Sequence, residues 1–323
     1  MNASRRIGLC LVSALLFGLA GNSVSQAAGR VLIVVGAPAE TKYGAMFKEW
    51  TQRWKNATLF SETPSKVLGL DDNPEKSDRE RLHDELQALA GESPEPLWLI
   101  LIGHGTFDRR TARFNLRGPD VSDAELAEWL KPVQRPVAVV CCFAASGPFL
   151  ITLSGPDRVV LVATKSGSEQ NFSHFGDWLS KSIADPTADL DKDRQTSLWE
   201  AYLAAGRKTT EWYKSQGLLA TEHCLLDDNG DKQGTRHDAF RGLKPLETAT
   251  GGQKLDGMRA HQWHLVPSPT DAGLTESQKQ RRNDLELAVI ALRDEKEALT
   301  EADYFAKLEA LLVELAAINR DAE

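Results

Sequence analysis

The chain has 323 residues and a formal net charge of −8, and this acidic balance argues against nucleic acid as a partner. Arg5 and Arg6 precede an apolar run over 7–20, and Ser25-Gln26-Ala27 suits cleavage after Ala27, which is the layout of a secretory signal. Removal of 1–27 changes the charge from −8 to −10. We expect an exported protein, periplasmic or extracellular, with no stable membrane span after signal removal; a retained membrane anchor is the alternative.

Three cysteines follow the predicted cleavage site: Cys141, Cys142 and Cys224. An odd number cannot be fully paired within one chain, so at least one free thiol is predicted, while the disulfide state of the three stays open. The count excludes a small domain held together by many disulfides. Since Cys141 and Cys142 are adjacent on a predicted strand, they should point to opposite faces of the sheet.

The region 28–184 alternates apolar runs with amphipathic segments. Residues 31–35, 97–102, 137–142 and 158–163 predict buried strands, and 57–60 predicts a further short strand. Helical spacing indicates helices over 42–55 and 78–89, after Ser122, and over 172–183. This alternation predicts a three-layer α/β core, in which helices cover both faces of a mainly parallel sheet.

The remaining chain is predicted to extend this core and then leave it. Residues 185–270 favour a continuation of the core, with a helix over 196–213 followed by a loop-rich wrap. Residues 271–323 predict a C-terminal helical hairpin of 276–299 and 301–319, in which Thr300 and Asp303 form a capping pair. The apolar stripes of the hairpin must be buried on each other, on the core or on a partner, and the oligomeric state stays open.

The residues with chemical potential lie where the predicted strands end. His104 stands between Gly103 and Gly105 directly after an apolar strand, and Cys142 ends the next one. The carboxyl ends of parallel strands meet at one crevice of the sheet. A thiol and an imidazole in such a crevice suit nucleophilic catalysis, in which the histidine forms the thiolate or protonates the leaving amine.

This arrangement resembles the legumain, caspase and gingipain group of cysteine peptidases. The resemblance covers about residues 30–183, and His104 with Gly105 matches the His-Gly motif of the group. It implies a parallel sheet flanked by helices, a catalytic histidine at His104, and a nucleophilic cysteine at the next strand end.

The turn that should carry the cysteine allows two alignments. Members of the group have Cys-x-Ser-Gly, whereas this chain has Cys141-Cys142-Phe143-Ala144-Ala145-Ser146-Gly147. Anchored on Ser146 and Gly147 without a gap, the motif places Ala144 at the nucleophile position, which implies an inactive relative. Two extra turn residues would place Cys142 there instead, which implies an active peptidase with Gly105, Ser146 and Gly147 shaping the turn and oxyanion site.

Other polar segments are weaker candidates. The resemblance implies that Lys165, Ser166, Glu169 and Gln170 help to line a substrate pocket; a solvated loop is the alternative. A second polar segment has the composition of a calcium loop, with oxygen donors at Asp227, Asp228, Asn229 and Asp231. It lacks the full twelve-residue pattern, so an ordinary Asn-Gly turn is the preferred interpretation. His261, Trp263 and His264 are expected to serve packing or the surface, and no cofactor is expected.

Two functions therefore stay open. The first is an exported cysteine endopeptidase that uses a His104/Cys142 dyad. The second is a pseudo-peptidase of the cell envelope, with Ala144 at the nucleophile position, that binds a peptide or protein partner. A serine hydrolase is excluded because Ser146 does not lie in a Gly-x-Ser-x-Gly motif.

Overall fold

The computed structural model describes residues 30–72, 74–246 and 255–320. The predicted secretory signal lies outside the described residues, so export stays a prediction. No helix within the described ranges is long and apolar enough to cross a membrane.

The described chain contains strands and helices in alternation through most of its length. The strands are β1 (Arg30–Val35), β2 (Ser65–Leu68), β3 (Gly91–Glu92), β4 (Leu97–Ile102), β5 (Gly105–Phe107), β6 (Ala112–Phe114), β7 (Val121–Ser122), β8 (Val133–Gln134), β9 (Val137–Cys142), β10 (Arg158–Val162), β11 (Leu225–Asp227), β12 (Thr235–Arg236), β13 (Phe240–Arg241) and β14 (Lys244–Pro245). The helices are α1 (Thr41–Phe60), α2 (Asp78–Ala88), α3 (Asp123–Leu130), α4 (Gly147–Leu153), α5 (Phe175–Ser182), α6 (Leu198–Ser215), α7 (Pro269–Gly273), α8 (Glu276–Asp294) and α9 (Glu301–Arg320).

A seven-stranded sheet forms the centre of the molecule in the order β12-β11-β10-β9-β4-β1-β2. The strands from β2 to β10 run parallel, whereas β11 and β12 are antiparallel to their neighbours. The chain moves from β1 to β2 on one side and then to β4 on the other, so the strand order reverses between β1 and β4. In open α/β sheets, this reversal opens a crevice beyond the carboxyl ends of the two strands. His104 follows β4 and lies at that point.

Helices cover both faces of the sheet, which confirms the predicted three-layer α/β architecture. One face packs under α1, α5 and α6 around Trp50, Trp54 and Phe175. The other packs under α2, α3 and α4 around Leu82, Leu126 and Phe149. Strands whose two faces are both covered must be apolar at every position, which explains the unbroken apolar runs of β4 and β9.

The two adjacent cysteines lie on opposite faces of β9, as the alternation of strand side chains predicts. Cys142 belongs to the core under α1 and α5, and Cys141 belongs to the core on the opposite face. Both of them and Cys224 are buried free thiols.

One predicted strand is wrong. Residues 57–60 form the last turn of α1, and the edge strand follows at Ser65–Leu68. Although Thr58 and Phe60 favour strands locally, Ala57 extends the buried stripe of Trp50 and Trp54 by one more helical turn. The stripe thus keeps the chain helical, because its tertiary burial outweighs the local β preference.

A helical hairpin ends the described chain, which confirms the predicted C-terminal pair of helices. Leu285 and Leu292 of α8 and Tyr304 of α9 are buried, and Arg281 pairs with Glu314 across the two helices at 2.6 Å. The first helix ends at 294, and a short 3-10 turn over Lys296–Ala298 joins it to α9. The Thr300 hydroxyl accepts the Asp303 N–H at 3.2 Å and donates to its carboxylate at 2.7 Å, which caps α9 as predicted.

Candidate functional site

His104 lies half-buried at the mouth of the crevice, directly beyond β4. Its Nε2 is 3.2 Å from the carbonyl oxygen of Pro38, which follows β1. Because a carbonyl only accepts, this contact assigns the hydrogen of the neutral ring to Nε2 and leaves Nδ1 as an acceptor. The neighbouring backbone is fixed as well, since Asn115 N–H donates to the His104 carbonyl at 3.0 Å.

Aromatic side chains surround the imidazole. The ring centroids of Tyr43, Phe47 and Phe172 lie 4.9, 5.2 and 5.9 Å from that of His104. Burial among these rings lowers the pKa of His104, although the Pro38 carbonyl and Glu40 act in the opposite direction. The imidazole is therefore neutral at neutral pH.

A row of half-exposed aromatic rings continues from His104 along the rim. Tyr43 stacks on Phe172 with 4.6 Å between centroids, Phe172 meets His174 at 5.2 Å, and His174 meets Trp212 of α6 at 3.7 Å. The sequence analysis missed this row because its members come from α1, from the segment before α5 and from α6. Only the fold brings them together, so no local pattern could have revealed it.

Cys142 lies below the crevice rather than in it. It is 1% exposed and packs against Trp50 and Gly176, whose added Cβ would be 2.7 Å from the Cys142 Cβ. Burial, with a smaller contribution from Glu222, raises the pKa of the Cys142 thiol far above its ordinary value. Burial also raises the pKa values of the Cys141 and Cys224 thiols. All three sulfurs are neutral and enclosed, which is the environment of structural cysteines.

Ala144 lies in the turn that follows β9, beside the backbone at the end of β4. The parallel pairing of β4 with β9 ends at Ile102 and Cys142, two residues before His104 and Ala144. The carbonyl of Ala144 would lie only 2.2 Å from a Cβ added to Gly105, which shows how closely the two strand ends approach. Gly105 is thus required for this contact, because any side chain there would displace the turn.

Ser146 and Gly147 fasten the turn to the end of β10. The buried Ser146 Oγ accepts the N–H groups of Ala163 and Thr164 at 3.1 and 3.2 Å. The N–H of Gly147 donates to Thr164 Oγ1 at 3.2 Å, and a Cβ on Gly147 would lie 2.4 Å from Ser166 N. Their contacts give these two residues a structural role in shaping the turn, while an oxyanion role stays a prediction.

The loop over 165–171, which contains the predicted pocket residues, packs against the turn. Glu169 is largely enclosed and accepts from His223 Nδ1 at 2.6 Å and from Lys165 N at 3.0 Å. Gln170 donates to the Phe107 carbonyl at 3.3 Å, and Ser166 bonds to Ser168 at 2.8 Å. The Lys165 ammonium is about half exposed, 3.8 Å from Glu169. The structure brings this loop to the crevice; its part in binding stays a prediction.

A buried carboxylate, which the sequence analysis missed, supports the same wall. Glu222 is 4% exposed and accepts from Ser173 Oγ at 2.5 Å and from the N–H groups of His174 and Phe175 at 2.8 and 3.1 Å. These N–H groups begin α5, where a negative charge is favourable. Burial nevertheless raises the pKa of Glu222. Glu222 therefore fixes the start of α5 and the aromatic residues that precede it.

The acidic segment after β11 forms a tight turn far along the sheet edge. Asp227 accepts the N–H groups of Gly230 and Lys232 at 2.9 and 2.8 Å, and Asp231 accepts that of Gln233 at 2.7 Å. Asp228 turns away and binds the N–H groups that follow Asp256. The Asn229 side chain accepts the Asp231 N–H at 2.9 Å. These contacts agree with the default turn, and calcium binding here stays a prediction.

Chemically, the crevice offers an acceptor nitrogen on a neutral imidazole, half-exposed aromatic faces and a closed turn. Such a surface suits recognition of a polypeptide segment, since polar groups fix orientation while aromatic rings supply contact area.

Comparisons with known proteins find a likeness among solved structures and none among family models or curated proteins. No family model and no curated protein matches the sequence. Among solved structures, the chain is similar to the crystal structure of the Drosophila initiator caspase Dronc, with a TM-score of 0.42 and 14% identity over 73% of this chain and 96% of that one. A likeness of this degree assigns neither activity nor substrate.

Proposed function

We propose that this protein is an exported, non-catalytic relative of the legumain- and caspase-like peptidases that binds a peptide or protein segment in the crevice beside His104. The His104-Gly105 motif and the small-residue turn after the neighbouring strand support the relationship. The sheet order supports it independently, because the crevice at the reversal of strand order contains both of these elements.

The observation that carries the proposal is the order of side chains at the end of β9. Ala144, which has no nucleophilic atom, lies in the turn beside the backbone that follows His104, and the nearest thiol in the chain direction lies two residues earlier at Cys142, inside the strand. That thiol is 1% exposed and is held neutral by burial. A peptidase nucleophile must be reachable by a carbonyl carbon and must form a thiolate readily, and Cys142 satisfies neither condition.

The rest of the crevice is suited to binding. In the proposed complex, His104 Nδ1 accepts a backbone N–H of the bound segment, and the rings of Tyr43, Phe172 and Trp212 contact its apolar side chains. The rival function, a His104/Cys142 endopeptidase, is favoured by one observation: both side chains belong to the face of the sheet that α1 covers.

One set of variants separates the two functions. The purified chain is tested for hydrolysis of a fluorogenic peptide library and for binding of a fluorescent library that varies one position at a time. We expect no hydrolysis by the wild type, and binding that Phe172→Ala weakens by about tenfold or more, the loss of one aromatic contact at a hot spot. Hydrolysis that both Cys142→Ala and His104→Ala abolish would establish the peptidase instead.

A gain-of-thiol variant tests the position of Ala144 directly. Iodoacetamide labelling is followed for Ala144→Cys in a Cys142→Ala background, with the Cys142→Ala single variant as the matched control. Ala144 is 4% exposed and Cys142 1%, so the new thiol should label faster than wild-type Cys142, and adding His104→Ala should shift its pH profile upwards, because a neighbouring imidazole favours the thiolate. Native wild-type Cys142 that labels equally fast would contradict the assignment.

A further inference from the structure

Residues 189–200 contain an ordered series of oxygen donors that the sequence analysis did not single out. This twelve-residue segment has oxygen donors at positions 1, 3, 5, 7, 9 and 12, which is the ligand spacing of helix-flanked calcium loops. The donors are, in order, Asp189, Asp191, Asp193, Gln195, Ser197 and Glu200. Position 7 contributes a backbone carbonyl in such loops, and position 12 is a glutamate that supplies two oxygens. The usual glycine at position 6 is replaced by Arg194, which adopts the same left-handed conformation with φ +74°.

The fold brings these donors together with a side chain from a distant segment. Ligand atoms of Asp191, Glu200 and His261 lie within 4.8 Å of one another, and so do those of Asp189, Asp191 and Asp193. Asp191 belongs to both groups, so the two groups adjoin at its carboxylate. His261, which the sequence assigned to packing or the surface, has its Nε2 3.1 Å from an Asp191 oxygen.

Backbone N–H groups and the Ser197 hydroxyl are the hydrogen-bond partners of Asp189 and Glu200, the two most buried of these carboxylates. Glu200 is 1% exposed and Asp189 7%. Within the ranges that the structure describes, no lysine or arginine side chain forms an ion pair with any of the four carboxylates; the nearby Arg282 pairs with Asp271. Buried carboxylates are normally paired with a cation or bound to a metal ion, since an isolated buried charge is unfavourable by many kcal/mol. His261 alone cannot balance four carboxylates.

We propose that the segment 189–200 binds one Ca²⁺ ion through Asp189, Asp191, Asp193, the Gln195 carbonyl and Glu200. A set of oxygen donors of this kind suits a hard cation, whereas zinc takes four nitrogen or sulfur ligands as a rule. His261 holds Asp191 near its ligand position in the metal-free protein. The proposal is independent of the peptide-binding function.

The ion would act at the beginning of α6. Glu200 already joins the loop to this helix, because it accepts the N–H of Leu190 at 2.6 Å and the N–H and hydroxyl of Ser197 at 2.9 and 2.8 Å. Ser197 and Glu200 form the capping box of α6. A cation shared by Glu200 and the aspartates would therefore fix the loop and the helix as one unit.

The test is calorimetric titration of the chelator-treated full chain with CaCl₂, and with MgCl₂ and ZnCl₂ in parallel, together with the thermal unfolding temperature. We expect one Ca²⁺ per chain with a dissociation constant between about 10⁻⁶ and 10⁻⁴ M, and a higher unfolding temperature when calcium is bound. Glu200→Gln retains the capping side chain, and Asp193→Asn changes an exposed ligand; each should weaken binding by about tenfold or more. The matched control is Asp231→Asn, at the equivalent position of the turn after β11, and it should bind calcium normally.

Three results would overturn the proposal. The first is no calcium binding by folded wild-type protein at millimolar calcium. The second is binding that Asp231→Asn abolishes and Asp193→Asn does not, which would move the site to the other turn. The third is preferential zinc binding that His261→Ala abolishes, which would replace the calcium site with a different metal centre.

Discussion

Two buried carboxyl groups should make the stability of this protein fall as pH rises from weakly acidic to weakly alkaline. Asp256 is 1% exposed and Asp228 3%. Asp256 accepts the N–H groups of Asp228 at 2.9 Å and Thr235 at 3.1 Å, and Asp228 in turn accepts those of Gly257 and Ala260 at 3.0 and 2.9 Å. The pair therefore ties the turn after β11 to the segment that begins at Asp256.

Burial, and then the charge of Asp228, raise the pKa of Asp256 from an ordinary 3.8 to about 8. Between these two values the folded protein keeps a proton that the unfolded chain has released. As the pH rises through this window, the free energy of unfolding falls. Above the folded pKa, this group makes no further change to it. One proton changes the free energy of unfolding by at most about 1.4 kcal/mol per pH unit.

Urea unfolding from pH 5 to 8.5, followed by tryptophan fluorescence, measures this slope. Asp256→Asn has no titrating group at the position, so its unfolding free energy should depend less on pH than that of the wild type. The variant loses the acceptor for Thr235, a loss of about 1–3 kcal/mol that is largest at low pH. The difference in the free energy of unfolding between the wild type and Asp256→Asn should therefore become smaller as the pH rises.

The exposed Asp231→Asn variant, in the same turn, serves as the control and should follow the wild-type slope. Parallel curves for wild type and Asp256→Asn from pH 5 to 8 would refute the reasoning, because they would mean that Asp256 titrates no differently in the folded and unfolded chain.

Three further predictions concern the crevice and its support. Gly176→Ala should lower the free energy of unfolding by about 1–3 kcal/mol in urea titrations, because its Cβ would lie 2.7 Å from the Cys142 Cβ; no change would mean that this packing is loose. Ser146→Ala should also lower it, by about 2–4 kcal/mol, since two buried N–H groups lose their acceptor, and unchanged stability would show that water replaces the hydroxyl. Phe172→Ala should raise the pKa of His104 towards its ordinary 6.5 by exposing the ring, measurable by NMR titration, and a lower pKa would contradict burial as the cause.

The sequence was sufficient for the elements whose patterns are local. The six-residue apolar runs of β4 and β9, each preceded by a proline, favour buried strands, and the crevice follows from the rule that parallel strands end at one edge. The alternation along β9 also separates Cys141 from Cys142. It does not say which of the two faces His104, because that depends on the register of β4 against β9, a tertiary property.

Other features depend on contacts between distant segments. The local composition at the end of α1 predicts a strand, whereas the burial of this segment under the sheet favours a helix. The aromatic row and the support by Glu222 need α5, α6 and the segment before β11 to meet. The donor spacing over 189–200 is local, but Arg194 at the position usually held by glycine conceals it.

Helix α6 has a mechanical consequence for the protein. Its 18 residues form a rod about 27 Å long that has Glu200 in its first turn and carries Trp212 near its far end, where the Trp212 ring packs on His174 at the crevice. A rod of this length moves its tip by about 1 Å for each 2° of tilt at its base. The loop held by Glu200 and the crevice rim at Trp212 are therefore joined by continuous helical backbone, so a tilt of α6 at its first turn would also move the ring that covers His174.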